Sequence, residues 1–186
     1  MSLVRAFVAV LPPDAALDEL EGCLKRLKPL ARLRWVTRAQ LHLTLRFLGE
    51  RTPELLEKVK TELQTVRMEP FTVTFGSAGA FPNLARPRVL WLGVDQGSEA
   101  LTGLAGRVES AVERAGVERE PRPFRSHLTL ARVDEKGRKL PPSLVSALQA
   151  LSPTLAWRCE GFSLMKSELT PRGAVHTPLT TVRWNA

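Results

Sequence analysis

The tetrapeptide His-Leu-Thr-Leu occurs twice in this chain, at 42–45 and at 127–130. The chain has three histidines, and two of them lie in these identical segments. An imidazole can take up or release a proton near neutral pH, and a threonine hydroxyl can hydrogen-bond a phosphate oxygen. The two copies together therefore offer the side chains for a general acid and a general base that act on one substrate.

Both copies lie in stretches whose apolar residues recur with the period of two that is typical of a β-strand. Residues i and i+2 project from the same face of a strand, about 7 Å apart. Each copy should thus place its histidine beside its threonine, while its leucines pack into the core. A lone His-x-Thr segment in a strand is usually structural. Two identical copies, one in each half, leave two interpretations open, which are structural strand residues or an internal duplication whose two strands face one cleft.

The elements that would carry these segments alternate irregularly between strand and helix. Apolar spacing and end signals predict helices at 14–28, 52–66, 98–116 and 143–151. Strands are predicted at 3–11, 33–36, 40–49, 71–75, 88–94, 124–133, 157–168 and 174–184. The Gly- and Pro-rich stretch 76–87 is predicted to be a connection. Helix-strand-strand units in both halves indicate an α+β fold with a mainly antiparallel sheet.

A wider group of segments resembles the 2H phosphoesterase superfamily, and within it the RNA 2',3'-cyclic phosphodiesterases, also called 2'-5' RNA ligase-like proteins. The two His-x-Thr motifs, 85 residues apart, carry most of this resemblance. The other segments are 4–10, 46–49, 79–82, 86–91 and 131–132. The resemblance implies a single bilobal domain over 1–186, in which two similar lobes of antiparallel sheet with outer helices form a central cleft.

The same resemblance implies hydrolysis of a 2',3'-cyclic phosphate to a 2'-phosphomonoester. It assigns His42 as the proton donor to the leaving 3' oxygen and His127 as the proton acceptor from water. It further implies that Thr44, Thr129 and Arg132 bind the phosphate and that Phe81 stacks on the base. Independently of the resemblance, two histidines can supply both proton transfers, and hydroxyls with an arginine can stabilise the phosphate oxygens without a metal or cofactor.

Arginines follow both motifs but at different distances. Arg132 lies five residues after His127, so an unbroken strand would turn it away from the cleft, and only a bulge or a strand end after Leu130 would bring it back. Arg46 lies four residues after His42 and could contact the substrate or form a structural salt bridge. Phe81 could stack on a base or pack in the core.

Three other residues invite a functional reading less strongly. Trp35 and Trp91 are predicted to be core residues. His176 has no companion motif, which favours a solvated or structural role.

Several other chemistries are weighed against this one. Neither motif has a second His, Cys or acid at the spacing of a metal site. Ser126 is next to His127, and adjacent strand residues point to opposite faces, so the two cannot form a nucleophile-base pair. Reversible 2'-5' RNA ligation would use the same two histidines, and a non-catalytic RNA-binding module would share the fold and charge.

The composition favours a partner with negative charge. The formal net charge is +8, and arginine supplies 20 of the 27 basic residues. This charge is compatible with RNA, DNA or phosphorylated ligands as partners, although a codon bias toward arginine would also produce it. The resemblance implies RNA with 2',3'-cyclic phosphate ends as the partner, and also 2',3'-cyclic nucleotides. Cys23 and Cys159 form no paired motif, and the apolar run 6–11 is too short for a signal peptide or a membrane span. We expect a cytoplasmic monomer with no membrane contact.

Overall fold

The chain folds as alternating strands and helices in a computed structural model that describes residues 2–134 and 139–185. The strands are β1 Val4–Val10, β2 Arg34–Trp35, β3 Leu43–Arg51, β4 Phe71–Val73, β5 Phe75–Phe81, β6 Val89–Val94, β7 His127–Arg132, β8 Trp157–Cys159, β9 Gly161–Thr170 and β10 Gly173–Arg183. The α-helices are α1 Asp14–Leu27, α2 Pro53–Leu63, α3 Ser98–Ala115 and α4 Pro142–Gln149. Short 3-10 helices cover Lys28–Leu30 and Arg38–Gln40.

Most strands belong to one antiparallel sheet with the order β10-β9-β1-β3-β7-β6-β5, in which β2 also pairs with β7. β4 and β8 form a separate pair. Strands β3 and β7 meet at the residue pair Leu43 and Leu128, which joins a half made of β10, β9, β1 and β3 to a half made of β7, β6 and β5. The predicted α+β class is confirmed, and the two lobes are halves of one continuous sheet.

The helices cover one face of this sheet in two pairs. Helix α3 packs on β3 and α2, whereas α4 packs on β5 and α1. Their apolar residues join the leucines of β3, β6 and β7 in one buried core. Within the described residues, no helix has the length and apolar character needed to cross a membrane.

Local chemistry explains where two of the helices begin and end. The Thr52 hydroxyl accepts a hydrogen bond from the Leu55 N–H at 3.3 Å, and Pro53 occupies the first turn of α2. Helix α3 ends at Gly116, whose φ of +103° lies in the left-handed region that favours glycine. Both boundaries agree with the predictions from sequence.

The predicted connection 76–87 was wrong in its first part, because β5 runs through it as far as Phe81 and pairs with β6. The reason is a tertiary contact. A Cβ at Gly79 would lie 2.5 Å from the indole of Trp91 on β6, so the strand needs glycine there although glycine disfavours strands. Other boundaries also differ from the predictions. The strand predicted at 40–49 starts only at Leu43, after the 3-10 helix Arg38–Gln40, 157–168 is divided into β8 and β9, and β7 starts only at His127.

Candidate active site

The two His-x-Thr segments lie side by side at the join between the halves of the sheet. Because Leu43 pairs with Leu128 in antiparallel register, His42 is level with Thr129 and Thr44 is level with His127. Leu43 and Leu128 are fully buried on the helix side, so the histidines and threonines lie on the opposite face. We call this the histidine face. Each imidazole thus has a hydroxyl on its own strand and one on the neighbouring strand.

Both imidazoles are oriented by the same backbone contact. The Nδ1 of His42 lies 2.7 Å from the carbonyl oxygen of Gln40, and that of His127 lies 2.7 Å from the carbonyl oxygen of Arg125. A carbonyl only accepts, so Nδ1 carries the proton in the neutral ring and Nε2 is left to exchange one. The Nε2 of His42 lies 3.0 Å from the hydroxyl oxygen of Thr44.

A β-bulge follows each motif at the same position. The pairing of β1 with β3 skips Leu45, and the pairing of β6 with β7 skips Leu130. Each bulge reverses which face the following residues occupy. The bulge at Leu130 brings Arg132 to the histidine face, where its side chain is exposed, as its predicted role requires.

The bulge at Leu45 turns Arg46 the other way, into the helix side. The Nε of Arg46 donates to Glu109 of α3 at 2.7 Å, and its Nη2 donates to the carbonyl of Glu118 at 2.5 Å. The residue is 7% exposed. Of the two roles left open for Arg46, the structural salt bridge is therefore the one that the structure shows.

Aromatic rings line the histidine face beside His127. The Phe81 ring meets the His127 ring edge to face, with centroids 5.0 Å apart, and lies 5.3 Å from Trp91. Trp91 pairs with Thr129 and so shares its face, where it covers Gly79. The prediction that Trp91 is a core residue was wrong, because it lies half-buried on the histidine face and outside the buried core. Trp35, by contrast, packs against the core.

His176 of β10 also reaches this site, which the sequence did not predict. Its ring is 5.2 Å from that of His42 at an interplanar angle of 80°, and both rings lie 4.8 Å from Phe7. The Gln40 side chain donates to the Ala174 carbonyl at 2.9 Å and so ties β10 to the segment that precedes His42. No local signal distinguishes His176, since only the curl of the β9–β10 hairpin brings it there.

Burial lowers the pKa of His42 to about 4, although its bond to the Gln40 carbonyl opposes the shift. The positive charges of His176, His127 and Arg132 lower that pKa further. Burial also lowers the pKa of His127, with Arg132 contributing, and lowers the pKa of His176. In the free protein His42 is therefore neutral at pH 7. Because His127 and Arg132 of the second motif lower the pKa of His42 in the first, the two motifs are close enough to interact electrostatically.

This arrangement places two ring nitrogens that can exchange a proton, two hydroxyls and a guanidinium on one face of the sheet. Those groups match the needs of in-line displacement at phosphorus, in which a base, an acid and donors to the equatorial oxygens act together. Within 2–134 and 139–185, no three His, Cys, Asp or Glu side chains are grouped to hold a metal ion.

Solved structures with this architecture define the class to which the fold and site belong. A crystal structure described as a phosphoesterase has a TM-score of 0.81 at 27% identity and covers 99% of both chains. Escherichia coli LigT in its apo form has a TM-score of 0.79 at 26% identity and covers 100% of both chains. The fold is thus that of LigT and other 2H phosphoesterases.

The sequence gives the family. Residues 12–171 match the 2'-5' RNA ligase superfamily. A relative from Archaeoglobus fulgidus, named RNA 2',3'-cyclic phosphodiesterase, is 35% identical over 178 residues, which cover 95% of this chain and 98% of the relative. A relative of the same name from Thermus thermophilus is 35% identical and covers 95% and 88%. The chain belongs to the 2'-5' RNA ligase superfamily, which confirms the resemblance found in its motifs.

Proposed function

We propose that this protein hydrolyses the 2',3'-cyclic phosphate ends of RNA to 2'-phosphomonoesters. Relatives that match it over nearly their whole length carry the name RNA 2',3'-cyclic phosphodiesterase. The related LigT of Escherichia coli has been solved in complex with 3'-AMP. The observation that carries the proposal is the pair of imidazoles on adjoining strands, each with Nδ1 bound to a carbonyl and Nε2 left for proton transfer.

In this reaction His127 acts as the base and His42 as the acid. The water oxygen attacks phosphorus while its proton passes to Nε2 of His127. The bond between phosphorus and the 3' oxygen breaks, and that oxygen takes the proton from Nε2 of His42. Thr44, Thr129 and Arg132 donate to the equatorial oxygens, where charge accumulates in the transition state.

The acid must gain its proton in the complex, since burial keeps His42 neutral in the free protein at pH 7. A cyclic phosphate is an anion, and an anion beside an imidazole favours the charged ring and raises its pKa. Substrate binding and protonation of His42 are therefore linked. The site becomes competent only when the phosphate is in place.

Phe81 is proposed to contact the nucleobase. Its ring is partly buried, with the His127 ring perpendicular to it and the Arg125 guanidinium 6.0 Å from its centroid. Stacking on an aromatic ring tolerates any base, so this contact would bind the terminal nucleoside with little base preference.

A second candidate is reversible 2'-5' ligation, which the description of the matching family favours. An RNA hydroxyl would replace water as the group that His127 deprotonates. The same residues serve both reactions, so the product ratio at high concentrations of RNA ends separates them.

The test uses RNA that ends in a 2',3'-cyclic phosphate, excess chelator, and the wild type beside His42→Ala and His127→Ala. We expect the wild type to form a 2'-phosphomonoester, identified by phosphorus NMR, and each variant to lose about 10²–10⁴-fold in rate. Ser126→Ala is the matched control, because its hydroxyl bonds Ser98 at 2.8 Å and not the imidazole. A wild type without turnover that still binds RNA would indicate the non-catalytic binding module instead.

A further inference from the structure

Three depressions in the surface join into one path lined by arginine. The first, of about 550 Å³, lies between the end of α2, α3 and the C-terminal residues. The second, of about 490 Å³, continues along α3 and shares Arg67 and Arg107 with the first. The third, of about 290 Å³, lies at the start of β9 and shares Arg183 with the first. Because the first depression shares arginines with each of the other two, the three adjoin one another.

The path carries an excess of positive charge. Five exposed arginines line it: Arg67, Arg107, Arg114, Arg158 and Arg183. The carboxylates that line it are Glu69 and Glu160, and a third, Glu62, pairs with Arg114 at 2.7 Å. Five positive charges against three negative ones leave a surplus of two. The surface therefore attracts an extended anion.

Some of these guanidiniums are held in place by the backbone. Nη1 of Arg67 donates to the Gln64 carbonyl at 2.5 Å, and Arg107 donates to the carbonyl of Arg67. A guanidinium has five N–H donors, so an arginine fixed in this way keeps others for a phosphate.

The third depression connects the path to the histidine face. Its lining includes Ser163 and Thr181, whose hydroxyls lie 2.9 Å apart. Ser163 pairs with Ala9, and Ala9 pairs with Thr44, so these residues form one row across the sheet. Thr44 and Ser163 are two strand spacings apart, about 10 Å. Ser163 is buried, whereas its partner Thr181 on β10 is exposed, so a polymer whose end lies at His42 can continue over Thr181 onto the arginines.

We propose that this path, the arginine track, binds the phosphodiester backbone of the RNA whose cyclic phosphate lies between His42 and His127. This inference rests on the proposed function and extends it, because it makes polymeric RNA the preferred substrate over a single nucleotide. A 2',3'-cyclic phosphate closes the 3' end of a strand, so the track holds nucleotides on the 5' side of that end.

The test compares two substrates, a nucleoside 2',3'-cyclic monophosphate and a single-stranded RNA with the same cyclic end. The variant is the triple substitution Arg67→Gln, Arg107→Gln and Arg183→Gln, and each single substitution is measured so that a folding defect in the triple does not hide the effect. We expect kcat/KM for the RNA to fall at least about tenfold and its log-log salt slope to lessen by about 2, since each lost phosphate contact removes about 0.7. The mononucleotide should be hydrolysed as by the wild type.

A control triple, Lys25→Gln, Lys58→Gln and Arg119→Gln, removes the same charge from exposed positions that line none of the three depressions. An equal loss on RNA in the control, or none in the track variant, would overturn the proposal. Fluorescence anisotropy with the same RNA measures binding by the arginine track independently of the proposed hydrolysis. If the wild type is inert on both substrates, the proposed function fails, while RNA affinity of the two triples still decides whether the track binds RNA.

Discussion

The two imidazoles have like hydrogen bonds but unlike surroundings. His42 lies deep against Phe7 and His176 and feels the charges of His127 and Arg132, so its pKa falls to about 4. The pKa of His127 is lowered by burial and by Arg132, and the Phe81 ring packs edge to face against its imidazole. Under the proposed roles, the residue that must be protonated is the one that holds its proton less firmly in the free protein.

The first prediction follows for the pH dependence of the reaction. The base must be neutral, so activity rises with pH through the pKa of His127, which is lowered from its ordinary value of 6.5. The acid must be protonated, so activity falls as pH rises through the pKa of His42, about 4. Because kcat/KM reports the pKa values of the free enzyme, its maximum should lie below pH 6.5. The maximum of kcat should lie at higher pH, because bound phosphate raises the pKa of His42 in the complex. A kcat/KM that keeps rising to pH 8 would contradict these roles.

His176→Asn tests the charge that acts on His42. The substitution removes a titrating ring yet keeps a polar side chain, so the pKa of His42 should rise and the alkaline limb of kcat/KM should move to higher pH. The ¹⁵N NMR titration of His42 measures the shift directly. An unchanged or lower pKa of His42 would show that His176 acts on it only by packing.

The residue types of the site could be predicted from sequence, but their surroundings could not. Repetition predicted that His42 and His127 lie together, and the pairing of Leu43 with Leu128 brings their segments side by side. His176 has no such repetition, and its contact with His42 depends on the pairing of β10 with β9 and on Gln40. Long-range contacts of this kind leave no periodic pattern in the sequence.

At the scale of single elements, the strands were predictable and the bulges were not. A period of two identifies a strand, but it assumes an unbroken ladder and therefore assigned Arg46 to the face of His42. The bulge at Leu45 sends Arg46 into the interior and leaves Phe47 on the histidine face, at the position that Arg132 holds on β7. The sequence could state that Arg132 needs a bulge, but not that one exists.

A matched pair of substitutions tests this difference between the two arginines. Arg46→Met leaves Glu109 nearly buried without its partner, so the free energy of unfolding should fall by about 3–5 kcal/mol. Arg132→Met removes an exposed side chain and should change stability by no more than about 0.5 kcal/mol, yet lower kcat/KM about 10²-fold. Denaturant unfolding and steady-state kinetics measure the two effects. Equal stability losses in both variants would contradict the faces assigned here.

For the whole molecule, the buried core follows from residues that the sequence already indicates as apolar. Leucines of β3 and β7 join those of α1 to α4 in one buried cluster. Formation of this core therefore fixes the positions of the two motifs. A small second cluster of Phe7, Ala9 and Met165 lies on the histidine face behind the imidazoles. Burial of the site is thus a property of the complete sheet, which the sequence could not show.

This burial predicts how stability depends on pH. The pKa of His42 is about 4 in the folded protein and about 6.5 unfolded, so the unfolded chain binds more protons between these values. The stabilisation is complete above pH 6.5 and is lost as pH falls towards 4, by roughly 3 kcal/mol for His42 alone. Denaturant unfolding at about pH 7.5, 5.5 and 4.5, which spans this window, measures the loss. His42→Gln should lose less over the same range, and an identical loss would place its cause elsewhere.

The level arrangement of His42 with Thr129 and of Thr44 with His127 gives the site an approximate twofold axis between the two strands. A phosphorus atom on that axis meets the same imidazole and hydroxyl from either side. Reversing an in-line displacement exchanges its acid and its base, and under the proposed function each imidazole has the hydrogen bonds that either role needs. Whether hydrolysis or ligation takes place would then depend on which oxygen nucleophile is present and on how long the RNA remains bound. Cleavage and ligation of the phosphodiester bond would be the same reaction run in opposite directions.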